Sequence, residues 1–208
     1  MEILLFSGFL GSGKTTLILA LARRVSELHR SACVIVNEVG EISIDGGVLA
    51  DGGLEVYELC AGCICCQIGV DLVRTLEEVE SRYHPDLVII EASGVATPGG
   101  VLAALSYFEA APTSVCCVSL VDPTRLSALL DVMQPLVESQ VREADEIVIS
   151  KIDASTADEL TLARAAVTRL APTTPTWELD VTDPASVETY INRRASIASL
   201  ADLTEEPR

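Results

Sequence analysis

The sequence predicts an α/β fold: a mostly parallel sheet flanked by helices on both sides. Apolar runs of strand length alternate with segments of helical periodicity, the pattern of βαβ units. The strongest runs are apolar at every position rather than at every second one, as strands covered on both faces must be. Of 208 residues, 49% are hydrophobic, enough for a sizeable core in a chain of about one domain's length. Residues 1–197 are expected to form that single domain, and the acidic, proline-containing residues 198–208 a fraying tail.

Taken in order, ILLFS (3–7) is the first strand, and residues 14–29 carry helical spacing and good helix formers. ACVIVN (32–37) is the second strand. Residues 38–53 hold five glycines and four acids, too long and too polar for an ordinary connection, and are expected to be a functional loop. LEVYEL (54–59) is a weaker strand, followed by a helix over 68–83. DLVIIEA (86–92), SVCCVSLV (114–121) and EIVIS (146–150) are buried strands, with helices over 99–109, 133–144 and 156–170 between and after them. PTWEL (175–179) is a second weaker strand. Parallel sheets of this kind bind ligands beyond the carboxyl ends of their strands.

Charge narrows the function. Fourteen Lys and Arg against 31 Asp and Glu give a net charge of −17. Sequence-independent binding of nucleic acid or anionic lipid needs a basic face, so neither is expected. No run reaches the roughly 18 apolar residues of a membrane span, and the apolar start opens with Glu2 and runs straight into a Gly-Lys loop, unlike a signal peptide. Seven cysteines without a secretory signal fit reduced thiols in the cytoplasm better than a disulfide framework.

Any phosphate must therefore be held by a local device, and one is present. Gly8-Phe9-Leu10-Gly11-Ser12-Gly13-Lys14-Thr15 matches G-x-x-x-x-G-K-[ST], with a strand running in and a helix running out. Glycines let the backbone curl so that successive N–H groups face phosphate oxygens, and the helix N-terminus adds its positive end. Lys14 is expected to reach the β- and γ-phosphates, Thr15 to ligate Mg²⁺, and Thr16 to complete the cradle. This loop makes the fold a P-loop NTPase fold.

At the end of the strand 146–150, Ser150-Lys151-Ile152-Asp153 is similar to the guanine-reading N-K-x-D motif, with Ser in place of Asn. The carboxylate has a geometric reason: guanine shows two adjacent donors, N1–H and the 2-amino group, which one carboxylate accepts together. GTP rather than ATP is the expected nucleotide. Glu91, just after a buried strand, is placed to hold Mg²⁺, and Gly94 to bring its N–H to the γ-phosphate. Cys60, Cys63, Cys65 and Cys66 crowd into seven residues; Gly62 permits a sharp turn, and Cys63, Cys65 and Cys66 can converge on one soft or borderline ion such as Zn²⁺. A redox pair and inert structural thiols are the alternatives. Cys33, Cys116 and Cys117 sit within apolar strands and read as small core residues; His29 and His84 read as helix-surface histidines.

Taken together, GFLGSGKTT, NEVGEISID (37–45), GCICC (62–66), IEASGVATP (90–98) and ADEIVISKID (144–153) resemble the CobW/HypB/UreG group of P-loop GTPases, most closely its CobW-like metallochaperone branch, GTPase domain only. The resemblance covers residues 3–153, about three-quarters of the chain. It implies GTP binding and slow hydrolysis coupled to delivery of a transition metal, zinc first among candidates, to a client metalloprotein. It places Cys63, Cys65 and Cys66 as the metal-binding thiols and Glu38 and Glu41 in a loop between nucleotide and metal, where they can join either site. Asp45 matches an acid of the same segment, and Asp122 a further acid without an assigned role. Arg23 and Arg24 point outward on the first helix, so no arginine finger is expected in place, and turnover is expected to quicken on nucleotide-dependent dimerisation or client binding. Two other functions stay open at this level: a GTPase guarding a metal-cofactor enzyme, such as a corrinoid protein, without carrying an ion, and a non-hydrolysing nucleotide-gated module.

Overall fold

The structure, a computed structural model, describes residues 1–36, 54–58 and 68–195, with the backbone alone at 54–58, 68–70 and 194–195. The loop 38–53 with Glu38, Glu41 and Asp45, the thiols Cys60, Cys63, Cys65 and Cys66, and the tail 198–208 lie outside the described residues.

Among the described residues, seven strands form one sheet: β1 (Glu2–Gly8), β2 (Ala32–Val36), β3 (Leu54–Glu58), β4 (Leu87–Glu91), β5 (Ser114–Val121), β6 (Glu146–Ser150) and β7 (Thr176–Leu179). Their order is β3-β2-β4-β1-β5-β6-β7, and every paired strand is parallel to its neighbour. The sheet is thus parallel throughout, where a mostly parallel one was expected. Six helices cross over between and after the strands: α1 (Lys14–Glu27), α2 (Ile68–Tyr83), α3 (Pro98–Leu105), α4 (Pro123–Arg142), α5 (Ala157–Leu170) and α6 (Pro184–Ala195).

The all-apolar strands are explained by burial on both faces. Leu4 and Phe6 of β1 pack with Leu17, Ile18 and Leu21 of α1 and Tyr190 of α6. Ile3 and Leu5, pointing the other way, pack with Leu76 of α2 and Leu105 of α3. On the same side, Ile147 and Ile149 of β6 meet α4 and α5 through Val137, Val141, Ala163 and Val167. Burying a Leu or Ile side chain contributes about 1.5–3 kcal/mol, so β1 is firmly held and a rigid base for the loop that follows it. Cys33 and Cys117 are core residues on one face of the sheet, and Cys116 packs half-buried against the core on the other face. Burial and the neighbouring Asp145 carboxylate push the Cys117 thiol up to about 12, so it stays protonated and inert at neutral pH.

Three expectations are corrected. The helix expected over 133–144 is the second half of α4, which starts at Pro123 and bends at Met133 (φ −138°, ψ 31°), two residues before Pro135. The helix expected over 99–109 spans Pro98–Leu105. Helix α6 was not foreseen. His29 and His84, rather than lying on helix surfaces, follow α1 and α2 in the left-handed region (φ 55° and 44°) and end those helices. No helix among the described residues is long and apolar enough to cross a membrane.

Candidate functional site

Because all strands run the same way, the loops after β1, β4, β5, β6 and β7 emerge at one edge of the sheet. That edge gathers those of the residues singled out from sequence that are described: the phosphate loop, Glu91, Gly94 and residues 150–153.

The phosphate loop leaves β1 at Gly8 (φ 131°) and turns through Gly11 (φ 78°) and Gly13 (φ 94°), a path open to glycine and strained for other residues. Gly8 is also pressed against β5: a Cβ there would stand 2.5 Å from the Leu120 carbonyl oxygen. Gly8→Ala is therefore expected to destabilise the fold by about 3 kcal/mol, from left-handed strain plus a clash with fixed backbone. A drop in the urea midpoint is the check, and an unchanged midpoint would refute the strain argument.

Helix α1 begins at Lys14 with Gly13 as N-cap, no side-chain cap and no acid in its first turn. The described caps of α3, α4 and α5 contrast: Thr97, Asp122 and Thr156 each accept a backbone N–H. The α1 amides are left for an outside anion, which the helix dipole favours. Lys14 is buried (5% exposed), its Nζ donating to the Gly8 carbonyl at 2.8 Å and the Phe9 carbonyl at 3.2 Å, curled inside its own loop. The Ser12 hydroxyl is buried and has no hydrogen-bond partner among the described residues. Thr16 follows at the start of α1.

Thr15 and Glu91 meet. The Thr15 hydroxyl donates to both carboxylate oxygens of Glu91, at 2.8 and 3.1 Å, across 76 residues of sequence. Glu91 is 3% exposed at the end of β4, where it pairs in register with Phe6 of β1. A hydroxyl and a carboxylate side by side at the phosphate loop are hard oxygen donors of the kind Mg²⁺ takes. Gly94, three residues on, lies directly against the loop: a Cβ on it would come within 2.6 Å of the Leu10 amide nitrogen. Gln140 of α4, 2% exposed, fixes this segment by donating from Nε2 to the Gly94 carbonyl at 3.3 Å and the Ala96 carbonyl at 3.0 Å.

The segment 150–153 leaves β6. Ser150 is fully buried and its hydroxyl donates to the Val121 carbonyl at 3.3 Å, bracing β6 to β5. Lys151 adopts φ 52°, and its Nζ pairs with Asp122 Oδ2 at 2.7 Å. The turn is closed by the Ser155 hydroxyl and the Ala154 amide, both donating to the Lys151 carbonyl, and it leaves Asp153 exposed.

Three contributors were not foreseen, and a fourth had no role assigned. Asp122, whose role the sequence left unassigned, caps α4 by accepting from the Thr124 amide and hydroxyl at 3.0 and 2.7 Å while its other oxygen holds Lys151. Arg125, in the first turn of α4, donates from Nη1 to the Leu10 carbonyl at 3.0 Å. Gln140 is the third. The loop after β7 is the last: Val181 Cγ2 would lie 2.9 Å from a Cβ on Gly13, so this loop abuts the phosphate turn. There, hydrogen bonds from the Thr182 hydroxyl and amide hold the Asp180 carboxyl below its ordinary range and fix the turn. The Asp122-Pro123 pair carried a cap signal in sequence; the other three carried none. Among the described residues, no cluster of three or more His, Cys, Asp or Glu could hold a metal ion.

Similarity to known proteins agrees with this architecture. The chain is 35% identical over 154 residues to the zinc chaperone YeiR of Escherichia coli, covering 73% of this chain and 47% of that protein. It is 32% identical over 200 residues to the zinc chaperone CobW of a Sinorhizobium species, covering 82% and 56% respectively. The chain thus spans about half the length of these curated relatives. Among solved structures, HypB from Helicobacter pylori in complex with nickel superimposes with a TM-score of 0.67 at 18% identity, covering 99% of this chain and 90% of that one, which speaks to the fold alone. The Zn(II)-bound YjiA GTPase from E. coli gives 0.60 at 25% identity, over 86% of this chain and 57% of that one. Residues 2–178 match the CobW/HypB/UreG nucleotide-binding domain. With its P-loop GTPase fold and that match over most of its length, the chain belongs to the CobW/HypB/UreG family.

Proposed function

We propose that the chain binds and slowly hydrolyses GTP, and that its nucleotide state governs the binding of a transition metal, zinc first among candidates, and the metal's delivery to a client metalloprotein. The observation that carries the nucleotide half is the Thr15–Glu91 hydrogen bond, which brings the phosphate loop and the strand-end acid together beside a buried lysine and uncapped α1 amides. The metal half is supported by the C-x-C-C thiols and by relatives named zinc chaperones.

In this reading Lys14 exchanges the Gly8 and Phe9 carbonyls for the β- and γ-phosphate oxygens. Thr15 and Glu91 hold Mg²⁺, directly or through water, and the ion, when bound, neutralises phosphate charge. The Gly94 amide meets the γ-phosphate, and Asp153 accepts the two donors of guanine. Cys63, Cys65 and Cys66 carry the metal as cargo, with Glu38 and Glu41 between the two sites. Occupancy of either site then biases the other through one connecting segment.

Metal titration of the reduced protein with GTP and GDP analogues, on wild type and on Cys65→Ser, tests this. Zinc should bind with different affinity in the two nucleotide states and bind weakly to Cys65→Ser. Affinity should fall at low pH, because thiols must lose protons to bind. Equal zinc affinity with both analogues would remove the coupling, and tight binding by Cys65→Ser would remove the thiols.

A further inference from the structure

Resting on the reading of the site as a GTPase, we infer that Arg125 is a catalytic residue of the hydrolysis, a guanidinium supplied within the chain to the terminal phosphate. Arg24, Arg30, Arg82, Arg142 and Arg164 each pair with an acid, as expected in a chain of net charge −17. Arg125 is one of the arginines without a carboxylate partner among the described residues. Its Nη1 instead donates to the Leu10 carbonyl, 115 residues away in sequence and inside the phosphate loop.

The place matters as much as the partner. Nη1 would stand only 3.3 Å from a Cβ on Gly11 and Cζ 3.8 Å, so the guanidinium lies over the Leu10–Gly11 turn in space a side chain would fill. The same Leu10 is the residue against which Gly94 packs, 2.6 Å from its amide nitrogen to a Cβ built on Gly94. Gly94 belongs to the segment that meets the γ-phosphate in the reading above, so Arg125 and Gly94 reach the same part of the loop from two elements. Asp122 sets the arginine in advance: it caps α4 through Thr124, and the Arg125 amide donates to its carbonyl at 3.3 Å. A guanidinium carries five donors, and Leu10 takes one of them.

In the reaction, the oxygen of water bonds to the γ-phosphorus and the bond from phosphorus to the β–γ bridging oxygen breaks. Its electron pair leaves with GDP. One proton of the water stays on the released phosphate and the other passes to solvent. Arg125 stays protonated throughout and stabilises the charge on the transferring group and the bridging oxygen, where a preorganised cation acts most strongly.

Single-turnover GTP hydrolysis, GDP affinity and thermal midpoint, measured on wild type, Arg125→Ala, Arg125→Lys and the surface variant Arg142→Ala, test the assignment. Arg125→Ala should lower the hydrolysis rate by about 100-fold, the scale of losing one charge-stabilising donor. Its GDP affinity should stay within about twofold and its midpoint should not move, and binding of GDP with aluminium fluoride should weaken with the rate, as expected for a group that acts on the transition state. Arg125→Lys should recover only part of the rate, because an ammonium lacks the planar fork. Arg142→Ala should match wild type. An unchanged rate in Arg125→Ala overturns the inference, and so does an equal loss of GDP affinity and rate, which would make Arg125 a brace of the loop. A wild-type chain without turnover would fail earlier, taking the GTPase reading with it, so the two failures are distinct.

Discussion

Asp153→Asn should convert the chain from a guanine to a xanthine nucleotide binder. Guanine presents N1–H and a 2-amino group, both donors, to a carboxylate that accepts both. Xanthine keeps N1–H but carries an oxygen at C2. Against it a carboxylate meets one donor and one repelling acceptor, whereas the Asn amide accepts from N1–H and donates to the oxygen. Loss of a paired polar contact inside a nucleotide site discriminates by about 10⁴-fold, so GTP affinity should fall and XTP affinity rise by a combined factor of that order. The backbone should not object, because Asp153 is exposed and the turn is held by Ser155 and Ala154 bonding to the Lys151 carbonyl. Competition binding with labelled GDP and XDP reads the outcome directly. A variant that keeps its preference for GTP would place the base elsewhere and detach residues 150–153 from specificity.

That prediction could be written from sequence, and the reason is local. Phosphate loop, Glu91 and Asp153 each sit at the carboxyl end of a strand that is apolar along its length, so motif and element identify one another. The parallel sheet then guarantees that all three share an edge. Arg125 and Gln140 are different. Their partners are backbone carbonyls 115 and 46 residues distant, and a carbonyl has no sequence signature. The start of α4 and the whole of α6 escaped for a third reason. Both open on Asp-Pro, with Asp122 accepting from Thr124 and Asp183 accepting from the Ala185 and Ser186 amides. Asp-Pro is at once a cap followed by a first-turn proline and an ordinary turn. Pro135 deepened the ambiguity, since a proline inside α4 resembles one that starts a helix. Val181 could not be anticipated at all, because its contact with Gly13 depends on how β7 stacks beside β6.

The same distinction between what the chain holds locally and what it holds across the sheet bears on Lys14→Met, which should lower GTP hydrolysis by about 10³-fold and weaken GTP more than any other single change on this edge, the scale expected when the charge that neutralises a transferring phosphoryl group is lost. Methionine keeps most of the stem and removes the ammonium, so the variant separates charge from packing. Packing loss should be small: the 5% exposed side chain runs inside its own loop and its polar contacts include two carbonyls there, Gly8 and Phe9. Those carbonyls lose a charged donor, and this is a local cost at the end of β1 and the loop after it, while Phe6 and Leu4 stay buried against α1. The urea midpoint should therefore move far less than for Gly8→Ala, while phosphate release in a single turnover all but stops. A Lys14→Met protein that unfolds as readily as Gly8→Ala would mean that the ammonium chiefly holds the loop shut. One that hydrolyses GTP within about tenfold of wild type would mean that the α1 amides and Arg125 carry the phosphate charge between them, shifting the catalytic weight from the motif lysine to the helix terminus.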